Sequence, residues 1–202
     1  SFRDLCAGFD PGSGRPLVRR AGEGHWAGVD CTMTVGKSLS VLWAAGTPEQ
    51  RAAIEAAQAA AVERALRFVA EEGLVTVRTG AGGRDKHAAG DLIVARFAHY
   101  TTREGDPNIH HHCVILNVAG APPGVRSGRY GSRHHLTTDS ERLYTYRRAV
   151  GAAFRSALAE ELRTRFGFRF RPAGDGQWEL AGIPEAVLEA FSKRSRQIQE
   201  RA

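Results

Sequence analysis

Four histidines crowd one short stretch, HYTTREGDPNIHHH, which runs from His99 through His110, His111 and His112. Imidazole is the commonest side-chain ligand of first-row divalent metals. The stretch joins two apolar runs, residues 91–101 (DLIVARFAHYT) and 109–119 (IHHHCVILNVA), which read as strands. The link between them is too short for a crossover helix, so the strands run antiparallel. Side chains alternate along a strand, so His110 and His112 share one face and His111 takes the other. Opposite Cβ atoms in such a pair lie roughly 4.5–5.5 Å apart, which sets His99 across the ladder from His110 and His112. Three imidazoles then converge at the roughly 2 Å bonding distance of a metal. No fourth ligand is evident, because Cys113 points away from His110 and His112. Three protein ligands leave positions open, as catalytic ions require. His111 packs or touches substrate. A histidine-rich hairpin tip without metal explains the H-x(10)-H-x-H spacing less well.

The expected cofactor is a divalent ion, Mn, Mg, Zn or Ni. Imidazole suits Mn, Zn, Ni, Co or Cu better than the oxygen-seeking Mg. An ion open on one side polarises a phosphoryl oxygen and steadies charge in a transition state.

Two further residues could serve such a site. VDCTMTV, residues 29–35, alternates, with Asp30, Thr32 and Thr34 on its polar face. Asp30 there orients a metal-bound imidazole, accepts a proton, or is simply a surface carboxylate. Gly36-Lys37-Ser38 resembles the end of a phosphate-binding loop, but that motif needs glycine at position 31, which is Cys31. The motif is excluded, and Lys37 remains a candidate phosphate contact at a helix start.

Basic residues interleave with aromatic ones further on. Arg126, Arg129, Tyr130 and Arg133 lie in a Gly-rich segment, and Arg147 and Arg148 follow on a helix. Arginine holds phosphates and aromatic rings stack on unpaired bases, so these are the candidate DNA-binding residues. Arg142, His134, His135, Tyr144 and Tyr146 lie among them. For the helical arginines a solvated surface is an equal alternative. Arg163, Arg165, Arg169 and Arg171 read as solvated surface, and Trp26, Trp43 and Trp178 as core or loop anchors.

The elements that must position these groups follow from pattern. Residues 1–28 are a Gly- and Pro-rich lead-in. SLSVLWAAG reads as a short apolar turn. Thr47-Pro48-Glu49 opens a helix that reaches about residue 72 and stops at Gly73, with Ile54, Ala57, Ala61, Ala65 and Phe68 as its core stripe. A strand at 74–78, a loop at 79–90, and one long helix from Asp139 to Phe166 ending at Gly167 complete the main body. Two short strands and two short helices, from Pro184 and through Ser195, close the chain. The class is α+β, an antiparallel sheet with helices packed on one side.

Composition bounds the setting. The chain has 202 residues and a net charge of +6, with a pI of about 9.7, which favours a polyanionic partner. Three cysteines without a CxxC pair argue against a disulfide framework and for a reducing, cytoplasmic compartment. No apolar run of about 18 residues exists, so no membrane span is expected. The opening SFRDLCAG has neither an initiator Met nor a leader pattern and reads as a cut from a longer chain.

Several stretches resemble the conjugative relaxases of the MobF (TrwC/TraI-like) type, within the HUH endonucleases. They are GFDPGSGRPL, GVDCTMTVGKSLSVLWAAG, FAHYTTREGDPNIHHHCVILNVA, RAVGAAFRSALAEELRTRFGF and GIPEAVLEAFSKRSRQI. The resemblance covers nearly the whole chain, and 1–202 is read as one such domain, truncated at its N-terminus. It places the family's metal histidines on His99, His110 and His112, its strand aspartate on Asp30 and its lysine on Lys37. It implies a strand-specific nickase at a transfer origin. A tyrosine becomes linked to the 5′ phosphate, the metal grips the scissile phosphate, and the cut strand passes to a recipient cell. Single-stranded origin DNA is the implied partner, with other relaxosome proteins. Two features depart from the pattern. None of Tyr100, Tyr130, Tyr144 and Tyr146 matches the family's N-terminal catalytic tyrosines, and T-V-G-K-S replaces the family's S-A-P-K-S. A non-catalytic DNA-binding module and a water-using metallonuclease are the rival expectations.

Overall fold

The computed structural model describes residues 1–122, 124–125 and 135–193. The strands are β1 (Gly28–Thr34), β2 (Thr76–Thr79), β3 (Asp85–Ala88), β4 (Leu92–Thr101), β5 (Pro107–Gly120), β6 (His135–Leu136), β7 (Thr138–Asp139), β8 (Phe170–Pro172) and β9 (Trp178–Leu180). The helices are α1 (Phe2–Cys6), α2 (Lys37–Ala45), α3 (Pro48–Glu71), α4 (Glu141–Thr145), α5 (Arg147–Phe166) and α6 (Glu185–Ala190). The largest sheet has the order β1-β5-β4, with β6 also paired to β5. β3-β2-β7 and β8-β9 form two smaller sheets. The α+β class expected from the sequence is the observed one.

The chain divides into two compact units. The first comprises Ser1–Cys31, Leu66–Arg96 and Cys113–Val150. Its core holds Val29, Val69, Val75, Val77, Ile115, Leu116 and Val118, all at most 7% exposed. β2 pairs antiparallel with β3, from Thr76 opposite Ala88 to Thr79 opposite Asp85. Residues 79–90 are therefore not the loop that their glycines suggested. Gly80, Gly82 and Gly83 have positive φ and turn the chain back, and DKHA then pairs as a strand.

On the other side of β2, Thr76 pairs with Asp139 of β7. Asp139 is thus a strand residue rather than a helix start. Arg78 and Lys86 hold its carboxylate, Lys86 at 3.3 Å, and Glu141 N–H donates to it at 2.9 Å. Burial raises the Asp139 pKa, but these donors outweigh it and leave the pKa lowered. The stabilisation is then complete above the ordinary value of 3.8 and lost as pH falls through the lower folded value. Asp139→Asn is expected to cost about 1–2 kcal/mol at neutral pH, with the gap between wild type and variant closing as pH falls through the lowered folded value. A gap that persists in acid contradicts this.

The second unit comprises Thr32–Ala65, Phe97–His112 and Gly151–Ala202. Its core holds Leu39, Ile54, Ala57, Ala61, Val62, Ala65, Ile109, Phe154, Leu158 and Leu162, all at most 3% exposed. α3 begins where its cap signal stands. Thr47 N–H donates to Gln50 Oε1 at 2.8 Å, and Gln50 N–H returns to Thr47 Oγ1 at 3.3 Å. Four of the five stripe residues are buried, and Val69 replaces Phe68 as the fully buried one.

Two helical expectations are corrected. SLSVLWAAG is not a turn but most of α2. The expected single helix from Asp139 to Phe166 is two, α4 and α5, broken at Tyr146 with φ −95° and ψ 12°. Thr145 Oγ1 back-bonds to Glu141 O at 3.0 Å, which competes with a continuing helix. α5 ends at Gly167, as its C-cap signal indicated. Of the two terminal helices, α6 is present; Ser195 lies outside the described residues. Among the described residues, no helix is long and apolar enough to cross a membrane.

Candidate metal centre

β4 and β5 build the centre. Thr102 N–H donates to Asp106 O at 2.9 Å at the hairpin end. At the other end Gly120 N–H donates to Asp91 O at 2.8 Å, so the pair is antiparallel. β5 also pairs with β1: Val35 N–H reaches Ile109 O at 3.4 Å and Asn117 N–H reaches Ala27 O at 2.9 Å. That register sets Thr32 opposite His112, and the Thr32 hydroxyl lies 3.4 Å from His112 Nδ1.

His99, His110 and His112 come together as the sequence spacing required. Their ligand atoms all lie within 4.8 Å of one another. The ring centroids are 5.3 Å (His99–His110), 4.9 Å (His99–His112) and 5.1 Å (His110–His112) apart, at interplanar angles of 75°, 63° and 71°. The rings stand edge to face around one point. A tetrahedral ion with bonds of about 2.1 Å sets its nitrogens about 3.4 Å apart, a closure that small ring rotations supply.

Polar groups flank the Nδ1 atoms of two of the rings. His110 Nδ1 lies 2.8 Å from the carbonyl oxygen of Asn108, which only accepts, and 3.2 Å from the Asn108 side-chain amide nitrogen; the shorter contact favours a proton on Nδ1. Donation from Nδ1 to that carbonyl would leave the Nε2 lone pair for a metal. The Thr32 hydroxyl beside His112 Nδ1 can donate or accept, so it fits either tautomer of that ring. His99 is exposed and the other two rings are half-buried, so one side of the centre is open. Among the described residues no thiolate or carboxylate joins the three. Burial pushes the Cys113 thiol up to about 12, which disfavours a thiolate there. The donor set fits a divalent ion with open positions.

Asp30 is exposed on the polar face of β1 with Thr32 and Thr34. Lys37 opens α2, and its Nζ donates to Pro107 O at 3.1 Å, at the start of the histidine strand. Burial lowers the Lys37 pKa, offset in part by Asp106 and Glu179. The α2 N-terminus is met by the Glu179 carboxylate, which accepts from Lys37 N at 3.1 Å and Ser38 N at 2.8 Å. Arg147 and Arg148 are exposed at the start of α5, and Arg147 donates to Tyr144 O at 2.8 Å. Arg126, Arg129, Tyr130 and Arg133 lie outside the described residues. Trp26 is 48% exposed and so is no core anchor. Arg165 and Arg171 pair with Glu161 and Glu185, as surface residues do. Sequence reasoning missed Asn108; a polar residue two before His110 on the same strand face was its only signal.

The family model for the TrwC relaxase matches residues 1–202. The chain belongs to the TrwC relaxase family. It is 32% identical over 181 residues to the Escherichia coli multifunctional conjugation protein TraI, covering 87% of this chain and 10% of that protein. A metal-bound conjugative relaxase TrwC in complex with oriT DNA superposes with a TM-score of 0.81 at 32% identity, over 98% of this chain and 65% of that one. A copper-bound TrwC–oriT complex matches equally well in TM-score, at 33% identity and over 98% and 64% of the two chains. This TrwC-family chain thus spans a tenth of the curated relatives and about two thirds of the solved relaxase chains.

Proposed function

We propose that this chain is the metal-binding part of a conjugative relaxase, which binds single-stranded DNA at a transfer origin and holds the scissile phosphate for attack by a tyrosine. The convergence of three imidazoles with open coordination positions supports this most directly. Relatives solved with oriT DNA and metal point the same way. The ion is of the imidazole-preferring kind, Mn, Zn, Ni, Co or Cu before Mg. When bound, it would supply a positive charge to a non-bridging oxygen of the scissile phosphate.

The chain's own groups do the rest. His99, His110 and His112 fix where that charge lies. Asp30 takes a proton or orients an imidazole. Arg126, Arg129, Tyr130, Arg133, Arg147 and Arg148 hold the strand by its phosphates and bases. In the reaction the tyrosine oxygen bonds to phosphorus while the P–O3′ bond breaks. The 3′ oxygen leaves as a hydroxyl, and no water enters. None of Tyr100, Tyr130, Tyr144 and Tyr146 matches the position of the family's catalytic tyrosines, and Tyr100 is engaged in a stack on Trp43. The protein acts in the cytoplasm, with other relaxosome components as partners.

The test incubates the full-length protein with Mn2+ and single-stranded oligonucleotides tiling the transfer origin of its own replicon. A denaturing gel is expected to show a covalent protein–DNA adduct. A free 5′-phosphate product without adduct indicates a water-using nuclease, and binding without cleavage a non-catalytic module. DNA affinity is expected to fall by about 0.7 log units per phosphate contact for each log unit of salt. A flat response removes the nucleic-acid reading altogether.

A further inference from the structure

We propose that α2 is a clamp on the metal centre, with Ser40 and Trp43 as positioning residues that act through the residues beside the ligands. The proposal rests on reading His99, His110 and His112 as metal ligands.

α2 touches both histidine strands next to a ligand. Ser40 is fully buried, and its hydroxyl accepts from Ile109 N–H at 3.2 Å while donating to Gly36 O at 3.3 Å. Ile109 immediately precedes His110. The Ile109 carbonyl is already held by Val35, so both its backbone groups are fixed. One turn earlier, Lys37 Nζ ties down the Pro107 carbonyl. At the other end of α2 the Trp43 ring stacks on Tyr100, with centroids 5.1 Å apart and planes 8° from parallel. Tyr100 immediately follows His99 and by alternation faces the opposite side of β4. Packing Tyr100 flat on Trp43 therefore sets the roll of that strand, and with it the direction of His99.

The clamp is itself held at both ends. Glu179 caps the first turn, and its carboxylate also receives the Ser38 hydroxyl. Arg51 closes the last turn, donating to Trp43 O at 3.2 Å and Ala44 O at 2.7 Å while lying 5.3 Å over the Trp43 ring. Glu55 accepts the indole N–H of Trp43 at 2.8 Å and fixes that ring in its plane. A helix serving only as core filler needs neither a hydroxyl aimed at Ile109 nor a carboxylate accepting its indole N–H. Contacts that orient ligands typically carry a 10- to 100-fold share of metal affinity.

The test titrates Ni2+ and Mn2+ into metal-free protein by calorimetry and records melting temperatures alongside. Ser40→Ala and Trp43→Leu are each expected to weaken binding about tenfold. Trp43→Phe keeps the stack and is expected to bind within about threefold of wild type. Ala61→Gly destabilises α3 at a fully buried position six residues beyond Glu55. It is expected to lower the melting temperature without changing affinity. Should Ser40→Ala fail to fold, the Trp43 pair carries the comparison. Affinities of Ser40→Ala and Trp43→Leu equal to wild type overturn the clamp, as does an Ala61→Gly loss as large as theirs. If wild type itself binds neither ion, the metal reading falls and the clamp with it.

Discussion

Alanine at both His110 and His112 is expected to abolish stoichiometric metal while leaving the fold intact. Elemental analysis of purified, dialysed protein gives the first result and a thermal melt the second. The two residues supply two of three converging ligand atoms, and a single imidazole does not hold an ion against buffer. The expected loss exceeds about 100-fold in affinity, the upper range for contacts that merely orient ligands. Stability should change by less than about 1 kcal/mol, because both rings are only half-buried on the open face of β5. Retained metal would place the ion elsewhere.

Gly28→Ala is expected to be the most damaging single methyl in the first unit. Gly28 opens β1 at φ +152°, and a Cβ there would stand 2.2 Å from Ile115 O and 2.9 Å from Leu116 Cα. Both obstacles are backbone of β5, so no side-chain rotation relieves the clash. β1 must lift from β5, or the backbone must distort. The cost is on the order of 3–4 kcal/mol, a melting-temperature drop of about 8–12 °C for a chain of this size. A wild-type melting temperature would show that β1 and β5 do not lie as close as described.

The histidine hairpin was legible because each step is local. The two apolar runs, the short link and the alternation of side chains all lie within residues 91–119, and they suffice to gather His99, His110 and His112. The start of α3 was legible for the same reason, since Thr47 and Gln50 cap each other within one turn. α2 was not, because what holds it comes from far along the chain. Glu179, which caps its first turn, lies 141 residues beyond Ser38. Without that carboxylate, nine residues flanked by Gly36 and Gly46 read as a turn. The break at Tyr146 was hidden similarly. Asp139 looks like a helix cap in sequence, and only its pairing with Thr76 and its ion pair with Arg78 make it a strand residue. Lys37 stands at a helix start, as expected, and Glu179 from far along the chain meets the backbone N–H groups there.

The central claim, three imidazoles on one open metal, is tested most directly by X-ray absorption of the Mn2+- or Ni2+-loaded protein. The account predicts three imidazole nitrogens at about 2.0–2.2 Å with oxygen from solvent completing the shell. A shell with one imidazole or none, or one containing sulfur, would contradict it.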